Sequence, residues 1–138
     1  MLKDALVLTK VFASNGEVID TAIFICPEGA EYEVTEVMEE HTTAGSNGGA
    51  VTMDVVKAAS GTAVAGATSL LQSTFNMKST ADTPVRKTKA NSGLVVAQGT
   101  RTLTAGQKLG LDFTGTLTAL AGVCVTVILR LRRPALNR

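Results

Sequence analysis

Residues Gln107 to Leu131 read QKLGLDFTGTLTALAGVCVTVILRL. Leu109, Leu111 and Phe113 fall on alternate positions, and Val123, Val125, Val127, Leu129 and Leu131 do the same over a longer run. A period of two puts each set on one face of a β-strand. The other phase of the second run is Cys124, Thr126, Ile128, Arg130 and Arg132. It starts apolar and ends charged, so this strand is expected to leave the core at its C-terminal end. A Gly- and Thr-rich connection joins the runs, which suggests an antiparallel pair. Such a pair needs a second sheet to cover its apolar face.

The rest of the chain supplies strands of the same kind. ALVLTKVFA (Ala5–Ala13) and EVIDTAIFIC (Glu17–Cys26) flank Asn15-Gly16, the strongest short signal for a hairpin. EYEVTEVMEEHT (Glu31–Thr42) alternates and then slips phase, so we expect a strand with a bulge near Thr35–Val37 and the acids on its solvent face. TAGSNGG (Thr43–Gly49) is a loop, and Ala50–Ala58 is a half-buried strand. Ala59–Ser69 is a Gly-punctuated connection, Leu70-Leu71 a buried turn, and Phe75–Ser79 a short strand. Ala81–Ser92 is polar, basic and expected to be exposed, while Leu94–Ala97 and Arg101–Thr104 are short runs broken by Gly99. These turn signals predict an all-β, antiparallel two-sheet sandwich of the jelly-roll type, with about eight or nine short strands. The prediction is a single domain over residues 1–138, with extended ends at 1–4 and 132–138.

Composition narrows the function. Aromatic residues make up 4% of the chain, with no Trp, so no stacking platform for single-stranded nucleic acid or sugar is expected. Net charge is +1, yet the halves differ: residues 1–69 carry three lysines against ten acids, and residues 70–138 carry ten Lys/Arg against two. Blocks of opposite sign attract within one molecule or between neighbours. Cys26 and Cys124 lie in apolar runs and read as buried free thiols. The first ten residues, MLKDALVLTK, lack the apolar centre of a signal peptide, and no run is long enough for a membrane span. A soluble product of the cytoplasm is expected.

No motif for catalysis emerges. His41 is the single histidine and reads as a surface residue; no second His or Cys stands at metal-ligand spacing. The six glutamates between Glu28 and Glu40 lack the spacing of a calcium loop. GTAVAGAT (Gly61–Thr68) has the two glycines of a phosphate loop but Ala67 where the lysine belongs. We therefore predict no enzyme activity, no cofactor, no metal and no small-molecule substrate. Two basic patches, Arg86-Lys87-Thr88-Lys89 and Arg130 to Arg133 with Arg138, suit protein docking better than nucleic acid, because no aromatic residue is interleaved.

Several stretches together resemble a family. Val56-Lys57-Ala58, then Leu70-Leu71, then TLTAGQKLGLDFTGTL (Thr102–Leu117), then Val123–Leu131 are similar to the β-sandwich structural proteins of tailed bacteriophages. Within these, the chain resembles the capsid cement, or head decoration, proteins of jelly-roll type. The resemblance covers about the C-terminal two-thirds and rests on fold motifs. It implies a virion protein on the outer capsid surface that binds the major capsid protein across capsomer junctions, as a homo-oligomer with a dimer favoured. It brings no catalytic residues. Another virion sandwich, such as a head-fibre base or a tail protein that binds the host surface, is the alternative. Candidate interface residues are the ends and basic patches: Met1, Leu2, Lys3, Asp4, Arg86, Lys87, Lys89, Arg130, Arg132, Arg133 and Arg138.

Overall fold

The computed structural model describes residues 5–133. Along the chain run β1 (Ala5–Phe12), β2 (Thr21–Ile25), β3 (Glu31–Glu40), β4 (Thr52–Ala58), β5 (Thr68–Ser69), β6 (Phe75–Asn76) and β7 (Val85–Thr88). The helical turn α1 (Gln98–Arg101) follows, then β8 (Thr102–Leu103), β9 (Lys108–Thr114) and β10 (Val123–Arg133). Three of these ten strands are two-residue pieces. All pairings are antiparallel.

The first sheet has the order β1-β10-β3-β7, with β8 also on β3; the second has β2-β9-β4-β5, with β6 also on β4. Setting β6 and β8 aside, the strands pair from the outside of the chain inward: β1 with β10, β2 with β9, β3 with β7, β4 with β5. The doubled chain is then rolled, so that β10 also lies against β3 and β9 against β4. This is the winding of a jelly roll.

The alternation in Gln107–Leu131 builds the core as expected, but the pairing differs. Its two runs are β9 and β10, and they belong to opposite sheets. Leu109, Leu111 and Phe113 on one side, and Val123, Val125, Val127 and Leu129 on the other, are buried in the space between. The run that needed a cover is thus covered by its own partner in the sequence. Asn15-Gly16 makes no hairpin either. Asn15–Glu17 is a 3-10 turn, β1 goes to β10, and β2 crosses to β9 in the other sheet. Phe12 and Phe113 meet edge to face across the core, with ring centres 5.5 Å apart.

The bulge in β3 falls where the phase slips. Ile128 faces Glu36 and Leu129 faces Val34, so Thr35 is the extra residue. The acids of β3 do not all form a solvent face, because Glu33 and Glu39 are buried. The segment expected to be simply exposed contains β7, which pairs with β3. Arg132 and Arg133 stay in the sheet, with Arg133 opposite Glu31, and are not part of a free tail.

On the outer face of the second sheet the 59–67 connection folds back over β9. A Cβ on Gly110 would lie 2.7 Å from both methyl carbons of Val64, so only glycine admits this approach. The Gly66 N–H donates to Asp112 Oδ2 at 3.0 Å, and Lys108 Nζ donates to the Thr62 carbonyl at 2.6 Å. Val56, opposite Gly110 on the same outer face, is fully buried.

Candidate functional site

The outer face of the first sheet carries the even-numbered residues of β10. Arg130 and Arg132 stand at the end where this strand leaves the core, beside Glu33 of β3. Lys89, just past β7, and α1 close the sides. Together Glu33, Thr35, Lys89, Gln98, Arg101, Arg130 and Arg132 line an open concavity of about 370 Å³. Four cations face one carboxylate, an excess of three positive charges.

Arg101 is the anchor of this site. It is buried, although its α1 neighbours Gln98 and Gly99 are exposed. Its Nε donates to the Val95 carbonyl at 2.9 Å. Its Nη1 pairs with Glu33 Oε2 and also donates to the Val34 carbonyl at 3.3 Å. Nη2 has no acceptor among the described residues. Glu33 is shared: Arg132 Nη1 reaches its Oε1 at 3.4 Å, and Gln98 Nε2 donates to the same oxygen at 3.3 Å. The carboxylate thus holds two guanidinium groups in place and fixes the floor of the concavity.

The candidate interface residues divide into four groups. Lys89, Arg130 and Arg132 are brought together here. Neither Lys89 nor Arg130 has a carboxylate partner among the described residues. Arg86 and Arg133 stand apart, each paired: Arg86 with Glu36 across to β3, and Arg133 with Glu31 at 2.7 Å. Lys87 turns the other way. Its ammonium lies 5.0 Å from the centre of the Phe75 ring and donates to Ser73 Oγ at 3.2 Å. Burial lowers its pKa, against the opposing charge of Asp54. Met1, Leu2, Lys3, Asp4 and Arg138 lie outside the described residues.

The chain reading missed Arg101, because nothing in RTLT sets one arginine apart from the exposed ones. It also misplaced His41, which is fully buried. Nε2 lies 2.9 Å from the Ser79 carbonyl and Nδ1 lies 2.8 Å from Glu39 Oε1. Burial alone would lower the imidazole pKa; the Ser79 carbonyl, the Glu39 carboxylate and the charge of Asp82 outweigh it and raise it. Burial raises the pKa of Glu39, against the hydrogen bond and charge of His41. A phase signal existed. Val37, Glu39 and His41 are two apart, so the phase that points Val37 inward carries the other two with it.

Both cysteines are free thiols, Cys26 buried and Cys124 only half-buried. Among the described residues, no group of three or more His, Cys, Asp or Glu is placed to hold a metal ion. No helix there is long and apolar enough to cross a membrane. No protein-family model matches the chain, and no curated protein does.

Proposed function

We propose that this chain is a capsid cement, or head decoration, protein of a tailed bacteriophage. In this reading it is made in the host cytoplasm and sits on the outer surface of the virion. There it bridges neighbouring copies of the major capsid protein, as a homo-oligomer with a dimer favoured. It acts by binding, without catalysis and without a cofactor.

One observation carries the reading. The stretches that resemble the cement family, Thr102–Leu117 and Val123–Leu131, lie on β8, β9 and β10. β9 and β10 are inner strands, one in each sheet of the jelly roll. The motifs therefore lie in the scaffold of the sandwich, which supports the reading. The outer face of the first sheet adds a surface suited to docking, with cations left over after the internal ion pairs are made.

A protein that binds the assembled shell and not the free subunit stabilises the shell by mass action. Purified protein mixed with cement-free expanded capsids is expected to co-sediment to saturation and to raise the temperature at which the shells lose their contents. Absence of binding to expanded capsids ends the proposal.

A further inference from the structure

We infer that the concavity formed by Glu33, Thr35, Lys89, Gln98, Arg101, Arg130 and Arg132 is a binding site for an acidic peptide segment of a protein partner. The inference goes beyond the capsid reading, because it concerns the chemistry of one site on the isolated chain.

The first argument is charge. Internal ion pairs consume Arg86 and Arg133, whereas Lys89 and Arg130 have no carboxylate among the described residues. Glu33 is divided between Arg101 and Arg132. Unpaired cations gathered in a concave surface focus the field and attract anions. The second argument is a donor held in place. Arg101 is 4% exposed, and its Nε and Nη1 are fixed by the carbonyls of Val95 and Val34 and by Glu33. Its Nη2 is left with no acceptor among the described residues. A guanidinium oriented in this way costs little further entropy when it takes a carboxylate.

The third argument separates a protein from other anions. The same outer face continues from Arg130 into a strip of two apolar pairs separated by Thr9 and Thr126. Val7 lies opposite Ile128 and Val11 opposite Cys124. Val7 and Val11 are 53% and 57% exposed. A peptide bearing both carboxylates and aliphatic side chains can use the cations and the strip together. A free phosphate cannot use the strip. A nucleic acid would want aromatic residues for its bases, and none lines the concavity.

The test uses the whole chain and a fluorescein-labelled peptide of repeating Glu-Glu-Val, read by fluorescence anisotropy. Saturable binding is expected, absent for the Gln-Gln-Val counterpart and weakened by added salt. The double variant Lys89→Glu/Arg130→Glu changes two exposed side chains and is expected to weaken binding by at least about tenfold. Lys78→Glu/Lys108→Glu, the same charge change made on the side of the second sheet, is expected to bind as the parent does. Circular dichroism checks that each variant is folded. The inference is overturned if the parent does not bind, or if both double variants lose binding equally. It is also overturned if inorganic phosphate displaces the peptide at the peptide's own dissociation constant, or if a single-stranded oligonucleotide binds more tightly through the same residues. Capsid binding can fail while the peptide binds, and the reverse, so the two readings are judged separately.

Discussion

The pair Glu39–His41 binds a proton that the unfolded chain would release. His41 Nε2 faces a carbonyl oxygen and must carry hydrogen; Nδ1 faces a carboxylate oxygen, so a second proton lies between the two side chains. Both pKa values are raised in the fold. An unfolded imidazole loses its proton near about pH 6.5, so above that pH folding takes up a proton. The native state then binds more protons than the unfolded one, and stability falls as pH rises. The stabilisation is fully present below the unfolded values and is lost as the pH passes the folded ones. Between the unfolded and the folded values the slope is expected to be at most about 1.4 kcal/mol per pH unit, the limit for one proton. Glu39→Gln can share its amide hydrogen with a neutral imidazole, so this variant is expected to flatten the slope. His41→Ala leaves a buried carboxylate without its partner and is expected to cost about 3–5 kcal/mol. Urea melts followed by circular dichroism at several pH values measure both effects. Equal slopes for the parent and Glu39→Gln would contradict the assignment.

At the scale of elements, Gly110 ties a loop to a strand. A methyl group there meets Val64 at 2.7 Å and the Thr21 carbonyl at 3.2 Å. Gly110→Ala is expected to destabilise by about 1–3 kcal/mol through overpacking. Val64→Ala makes room, so the double variant is expected to lose less than the sum of the singles, a coupling read from a double-mutant cycle of melts. Additive losses would show that the 59–67 connection does not rest on β9. Elements such as β9, β10 and the bulge at Thr35 were legible in the sequence, because alternation and a phase slip are local properties of a strand. Pairing was not. Period two says which way Val125 points and is silent on whether its neighbour is Leu111 or Lys10. The Asn15-Gly16 signal misled for the same reason: it reports a tight turn, and the turn here sends the chain between sheets. β7 escaped notice because an edge strand can be short and charged, and Val85 is its one apolar residue. The concavity was half legible. Arg130 and Arg132 follow from the phase of β10, whereas Lys89 and Arg101 arrive from segments that alternation does not place.

For the molecule as a whole, the opposite charges of the two halves are spent in part inside it. The ion pairs from Arg86, Arg101, Arg132 and Arg133 all run to glutamates between Glu31 and Glu36. The exposed pairs, Arg86–Glu36 and Arg133–Glu31, add little to stability; the apolar space between the sheets holds the fold. β10 lies between β1 and β3. A chain shortened to end at Leu120 is therefore expected to lose the centre of the first sheet and to show no cooperative thermal transition by circular dichroism. A sharp transition in that fragment would mean that the second sheet and its loops fold by themselves. The outermost pairing of the roll also sets a timetable on the ribosome. Phe12 must wait for Val123, its opposite in the register. At bacterial-like speeds of about 5–20 residues per second, that delay is roughly 5–20 seconds. Throughout it the first strand to emerge, with Val7 and Val11 along it, has no partner. β1 is open to wrong associations for that whole interval, and it is covered almost all at once, when β10 slides in.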